Sequence, residues 1–594
     1  LFVTMCLQVS SMSPRKKKRN RPASQKKKPQ GIIGAPETKT KTAMQLAMEA
    51  ATANLQEKDS TNNRDYRHKA KSAELESSTS GIKKASSSKV TVTRTKPSQK
   101  KEPQPTIKRR AAPPVHIPSP SRVRSLEVSD KTIINERFVS KGKRSQYVKP
   151  SGGMIWPQEG GELELVIGLD FGTAYTKVVV QEPAGEFAWA IPFTDNLLNP
   201  YLLPSMVIEQ DGAFSLDGDG EIHSALKLPL LLKSPPREHA LKVVSFLALV
   251  IRHVCSWVDE NKKAELRGLA PLWSIHLGLP AENLEDNQLV NSFKTVLMAS
   301  ALLAITRNSK ITTGKAKVAL GSAHSGLQVE NGNLPIHADQ VGVLPEVAAQ
   351  IFGYVRSDAW DHNRPQFMLV DIGGGTVDAA IFNVTKQDSE HRFSFFKSTV
   401  LPLGSTLLHR DRLRWLIDQL EGKPRQDLIE GLGELLASFN LIESIPDSID
   451  EYLENADFIP DTVDKRFQEG YETALWRDIN FVRTNINPER EQWKNFPFLL
   501  TGGARDVDIY KKFVAQVRRA KNYHVNLQEI EMRKPESLES PGLSSADYHR
   551  ISVAYGLSFP NLGKILTPEN VKDLYWGKSP EKDDGANSDW RFDR

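Results

Sequence analysis

The chain has 594 residues, of which 25% are charged, 39% are hydrophobic and two are cysteine, Cys6 and Cys255; this length exceeds one ordinary core, and two cysteines exclude a disulfide framework and a cysteine-based zinc site. The formal charge of +7 conceals a split, because residues 1–150 hold 34 Lys and Arg against 11 Asp and Glu, a balance of +23, whereas residues 151–594 hold 45 against 61, a balance of −16. The cysteine count fits a reducing compartment, the cytoplasm or, in a eukaryote, the nucleus.

Leu1–Ser10 is mildly apolar but precedes the first positive charges, the reverse of a secretory signal. From Met12 to about Pro150 the chain is rich in Lys, Arg, Ser, Thr, Pro and Gln and poor in aromatics, so residues 1–150 are expected to be a basic disordered arm. Thr40–Lys58 is the exception, a short stretch of helix-forming residues. Pro14-Arg15-Lys16-Lys17-Lys18-Arg19 and Lys26-Lys27-Lys28 suit a nucleic acid or another polyanion, a nuclear address or an acidic partner. A solvated tail, or attraction of the arm to the acidic remainder of the same chain, explains them equally well.

Beyond residue 160 β-rich runs alternate with helical ones, which predicts an α/β fold. Glu164–Leu169 reads as a strand, Asp170–Ala174 as a glycine-containing turn and Thr176–Gln181 as a second strand. The same design returns 201 residues later, where Phe367–Val370 leads into Asp371, the Gly373-Gly374-Gly375-Thr376 turn and the strand Val377–Val384. The longest apolar runs, Val243–Val250 and Val296–Ile305, are shorter than the roughly 20 residues a bilayer requires, so they are expected to be buried helix segments and no membrane span is predicted. Polar helices over about 407–493 suggest an inserted subdomain. The domain reading is a first lobe over 151–345, a second over 346–560 and a polar tail over 561–594. Cys255, the tryptophans and the 13 histidines read as packing or surface residues, with no spacing suited to a transition metal.

The chemistry concentrates at the turns. A tight glycine turn between strands leaves backbone N–H groups pointing at one spot, an anion nest suited to phosphate. An Asp ending the incoming strand can hold hydrated Mg2+, and Asp170 and Asp371 both stand there. A third element follows in order, the apolar run Phe498–Leu500 opening into Thr501-Gly502-Gly503-Ala504-Arg505, where paired glycines let the backbone approach a base or ribose.

Val166-Ile167-Gly168-Leu169-Asp170-Phe171-Gly172-Thr173-Ala174-Tyr175 resembles the first phosphate motif of the DnaK-type chaperones and their actin-like relatives. Asp371-Ile372-Gly373-Gly374-Gly375-Thr376-Val377-Asp378 is similar to their second phosphate motif, and Thr501–Arg505 to their adenosine motif. Pro345-Glu346-Val347-Ala348-Ala349 resembles their first connecting helix, and Asp547 with Val553-Ala554-Tyr555-Gly556 the second. The resemblance spans residues 165 to about 557 and implies a two-lobed actin-like ATPase fold with duplicated ribonuclease-H-like cores, ATP and Mg2+ as cofactors, and ATP or ADP exchange coupled to an unidentified protein partner. It further implies that Asp170 and Asp371 organise Mg2+ through water and that Thr173 places a hydroxyl at the terminal phosphate. Glu346 and Asp378 then position the attacking water. Gly172, Ala174, Tyr175, Gly373, Gly374, Gly375, Thr376, Gly404, Gly502, Gly503, Ala504 and Arg505 complete the nucleotide contacts.

The chain departs from that pattern at Ala174, where a second Thr is usual, at Ser405, where a second Gly is common, and in the shortened Ala504-Arg505 loop. The catalytic lysine of the chaperones has two candidates, Lys227 and Lys233. With 38 residues after Gly556, a peptide-binding domain and lid are not expected. The leading expectation is a slowly hydrolysing, ATP-dependent conformational switch. The alternatives are an actin-like filament or scaffold protein whose basic arm binds polyanions, a sugar-kinase-like enzyme, and a pseudo-enzyme that binds ATP without hydrolysing it.

Overall fold

The computed structural model describes residues 126–135, 146–151 and 161–566, the last span interrupted at 196–198, 233–234, 281–285, 306–309, 325–337, 358, 388–389, 439–444, 458–461, 488 and 520–523. The helix-forming stretch Thr40–Lys58, the basic clusters, Lys233 and the tail beyond 566 lie outside the described residues.

In chain order the strands are β1 (Ile133–Ile134), β2 (Glu162–Phe171), β3 (Tyr175–Glu182), β4 (Phe187–Ala190), β5 (Leu203–Pro204), β6 (Val207–Gln210), β7 (Ala213–Ser215), β8 (Glu221–His223), β9 (Ala270–Leu279), β10 (Ile311–Thr312), β11 (Val341–Pro345), β12 (Gln366–Ile372), β13 (Val377–Gln387), β14 (Glu390–Leu401), β15 (Leu453–Glu454), β16 (Phe496–Thr501), β17 (Leu527–Glu529), β18 (Leu538–Glu539) and β19 (Lys564–Leu566). The α-helices are α1 (Arg237–Asn261), α2 (Asn287–Ile305), α3 (Thr313–His324), α4 (Glu346–Val355), α5 (Ser405–Leu420), α6 (Gln426–Ser438), α7 (Thr462–Asn485), α8 (Asp508–Arg519) and α9 (Ser552–Leu557). The α/β class expected from the sequence is present.

Two large mixed sheets repeat one plan. The first has the order β11-β9-β2-β3-β4-β18, with β5 on β3, and the second β17-β16-β12-β13-β14-β19. In each, a hairpin (β2–β3, β12–β13) runs antiparallel while its first strand lies parallel to a later one, β9 beside β2 and β16 beside β12. The apolar runs explain the placement: Leu165–Phe171 is buried along its whole length, as a strand covered on both faces must be. A smaller sheet, β10-β7-β6-β8, lies beside the first.

Helices α1, α2 and α3 share a core with the first sheet, built around residues such as Phe171, Val178, Phe246 and Leu297. Helices α4 and α9 share a second core with residues of both large sheets, among them Val179, Ala190, Leu369 and Phe382. Their crossing requires glycine, because a Cβ at Gly556 would lie 1.8 Å from the Ala349 carbonyl oxygen, and so does the seat of α9 on β2, where a Cβ at Gly168 would lie 2.2 Å from that of Ala554. The other face of the second sheet carries α7 and α8. A separate small core joins α5, α6 and the segment around β15, so the helical insert is narrower than 407–493, because Phe467, Tyr471 and Leu475 of α7 pack with the second sheet.

Two boundaries differ from expectation. The arm does not extend to residue 150, because Leu126 and Thr132 are buried and β1 pairs antiparallel with β15. Ile134 meets Gly431 of α6 so closely that a Cβ there would come within 2.5 Å of its Cδ1. Arg425 Nη2 donates to the Thr132 carbonyl at 2.6 Å, and the Asn135 amide donates to the Tyr452 carbonyl at 3.0 Å. Further on, the Val148 amide donates to Phe193 O at 2.9 Å and the Tyr147 hydroxyl lies 2.8 Å from His253 Nδ1. A few apolar residues in a basic sequence were enough to anchor it. At the other end, β19 adds to the second sheet past residue 560.

Helices α1 and α2, with 25 and 19 residues, are longer than their apolar runs suggested and satisfy the length and composition of a bilayer span, but 72% and 50% of their apolar windows are buried within the protein. They serve as core helices of the first sheet.

Candidate functional site

Each hairpin presents its acid at the same point. In the first, Asp170 pairs in register with Lys177 across β2–β3, and Lys177 Nζ lies 2.9 Å from Asp170 Oδ2. The Gly172 amide donates to the Tyr175 carbonyl at 3.2 Å, while Ser205 braces the turn by donating its hydroxyl to Gly172 O (2.7 Å) and its amide to Ala174 O (2.8 Å). In the second hairpin Asp371 pairs in register with Asp378. Gln350 of α4 donates its side-chain amide to Asp371 Oδ2 at 3.2 Å, and the Thr376 hydroxyl donates to Asp378 Oδ2 at 2.9 Å. The amides of Ser405 and Thr406, which open α5, donate to Gly373 O (2.9 Å) and Gly374 O (2.8 Å), fastening that helix to the turn.

The third loop arrives beside the second hairpin because β16 is parallel to β12. Gly502 has φ +89°, and a Cβ there would lie 2.2 Å from Asp371 Oδ1, so backbone conformation and space both demand glycine. The tips of the two hairpins touch: a Cβ at Gly374 would lie 2.9 Å from that of Ala174, and one at Gly375 would lie 2.8 Å from Thr173 Oγ1.

These elements enclose a cavity of about 430 Å³. Asp170, Gly172, Thr173, Ala174, Tyr175, Glu346, Asp371, Gly373, Gly374, Thr376, Asp378, Gly502, Gly503 and Ala504 all line it. Three of the expected residues are not on the lining. Gly375 lies against Thr173, Gly404 sits under the second turn, where a Cβ would meet Gly374 O at 2.4 Å, and Arg505 donates Nη2 to Ala546 O at 3.2 Å. The lining also includes residues that no motif indicated: Lys177, Gln350, Ile445, Asp447, Lys511, His549 and Arg550. For Lys177 a signal was present, since a lysine seven residues after Asp170 faces it once the hairpin forms. Lys227, one of two lysine candidates, also lines the cavity, with Nζ 2.5 Å from Glu346 Oε1 and both residues buried.

The charge balance follows. Asp170, Glu346, Asp371 and Asp378 share the cavity with Lys177 and Lys227, a group with two negative charges in excess once all four carboxyls are ionised. Burial, with the Asp170 charge, pushes the Asp371 carboxyl up to about 7. Burial, with the Glu346 charge, pushes Asp378 up to about 8. Burial alone would lower Lys227, but Glu346 beside it outweighs that, so the pair's proton rests on the lysine. Asp378 Oδ1 is buried without a hydrogen-bond partner, an acceptor open to a donor such as water.

Among the described residues no three His, Cys, Asp or Glu side chains gather closely enough to hold a metal ion directly. When ionised, these four carboxyls suit a divalent cation that keeps most of its water, as Mg2+ does. Elsewhere, His253 and His276 accept or donate bonds within the core, and burial pushes the Cys255 thiol up to about 12, so it is inert packing. No protein-family model matches the chain, and no characterised protein matches it significantly in sequence.

Proposed function

We propose that the chain is an ATP-binding, Mg2+-dependent ATPase that works as a conformational switch, with a two-lobed actin-like arrangement in which each large sheet is a ribonuclease-H-like core. The observation that carries this reading is the convergence of two Asp-and-glycine hairpins and a Gly-Gly loop, separated by more than 100 residues in sequence, on one cavity with excess negative charge. Glycine backbones at Gly172, Gly373 and Gly374 receive the phosphates, and the Gly502-Gly503 end receives the nucleoside. Asp170 and Asp371 hold Mg2+ through its waters, and that cation neutralises phosphate charge when bound. Glu346, fixed by Lys227, and Asp378, with its open Oδ1, orient a water and accept its proton. Lys177, exposed enough to move between Asp170 and an arriving anion, supplies positive charge at the phosphate end. The basic clusters of the arm make a nucleic acid or another polyanion a candidate partner.

The test is ATP binding and turnover by the full chain with Mg2+, beside Asp170→Asn and Asp371→Asn. Metal-dependent binding that both substitutions weaken supports the reading, and turnover separates an ATPase from a protein that only binds. A full chain that binds no ATP in Mg2+ sinks it.

A further inference from the structure

Helix α5 lines the cavity at its start and, farther along, holds a second stretch of its wall through a buried arginine. At its start, Ser405 and Thr406 line the cavity and their amides grip Gly373 and Gly374. Seven residues on, about 10 Å along the helix axis, Arg412 is fully buried. Its guanidinium donates to Pro446 O at 2.7 Å, Asp447 O at 3.0 Å and Asp464 Oδ2 at 2.6 Å. Ile445 and Asp447 are cavity wall. One rigid helix therefore carries the phosphate turn at one end and, through Arg412, fixes a second piece of wall farther along.

We propose that Arg412 is a positioning residue that sets the distance between the phosphate end of the cavity and the Ile445–Asp447 wall, and so governs affinity for the nucleoside part of a nucleoside triphosphate. The inference rests on the ATP-binding reading above. Its chemistry is geometric: a planar guanidinium spans two carbonyls and a carboxylate at once, whereas an ammonium on a flexible stem cannot hold all three in the same plane. Asp464 keeps the buried charge paired, so the arginine can serve as a brace without leaving an uncompensated ion.

The experiment measures binding of ATP and of inorganic tripolyphosphate to the full chain in Mg2+, for wild type and Arg412→Lys. The expected result is a roughly tenfold or greater loss of ATP affinity with tripolyphosphate affinity changed less than about twofold. Equal weakening of both ligands makes Arg412 a residue of general stability, and no change in either removes its role; each overturns the inference while leaving the ATP-binding reading intact. A wild type that binds no ATP overturns both. Should Arg412→Lys fail to fold, Asp464→Asn, which frees the guanidinium from its anchor, is expected to give the same split between the two ligands.

Discussion

The hairpins β2–β3 and β12–β13 have the same strand directions, a glycine-containing turn and an Asp at the end of the first strand, yet the residue facing that acid is Lys177 in one and Asp378 in the other. The first acid is therefore neutralised within its own hairpin, at 2.9 Å. The second faces another acid, and burial pushes both carboxyls up, Asp371 to about 7 with the Asp170 charge adding to it and Asp378 to about 8 with the Glu346 charge adding to it. Two hairpins of like plan thus differ in charge: one arrives balanced, and the other holds buried acids that a cation or a proton relieves.

The comparison breaks most severely at Lys227, the buried cation that serves the second half through Glu346. Lys227→Ala leaves that carboxylate buried and unpaired, and denaturant unfolding should show a loss of about 3–5 kcal/mol; Lys177→Ala, on a partly exposed pair, should cost clearly less. Next comes ligand linkage. Nucleotide with Mg2+ at a hundred times its dissociation constant should stabilise the wild type by about 2.7 kcal/mol, and thermal melts of Asp371→Asn should show that gain largely lost.

Asp378→Asn sharpens the comparison in the opposite direction. Its carboxyl is raised from about 4 to about 8 in the folded protein, so it contributes stability that is present below pH 4 and lost as pH rises through 8. The asparagine has no such loss, so the ligand-free variant should gain stability relative to wild type as pH rises from 7 to 8.5. The smallest effect is a background slope of opposite sign. Burial holds His253 and His409 down at about 4, against about 6.5 when unfolded, so the unfolded chain binds more protons in between. Their contribution is present above pH 6.5 and falls with pH, by about 1 kcal/mol each at pH 5.5; urea midpoints at pH 7 and 5.5 should show it, flattened in His253→Gln.

Both hairpins and the Gly-Gly loop were legible in the sequence because their signals are local: β-branched strands, an acid, then glycines within a few residues. What stayed hidden depends on distant pairing. Lys227 could not be told from Lys233 by local context, since its partner Glu346 is 119 residues away. Gln350 and Arg412 look like ordinary helix residues until the fold carries them to Asp371 and to the Pro446 carbonyl. The N-terminal boundary was misplaced for a related reason: composition averages over a window, and Leu126, Thr132 and Ile134 are too few to change the average of a basic stretch.

That misplaced boundary has a practical consequence. Cutting the chain at residue 151 to remove the basic arm also removes β1 from β15, Ile134 from Gly431 and Tyr147 from His253. A truncated protein should therefore begin at or before Leu126. By the same token, residues 126–135 belong with the helical insert. The Asn135 amide holds the Tyr452 carbonyl, five residues along the chain from the cavity wall at Asp447, so the segment from Leu126 to Asn135 also steadies the insert that carries that wall.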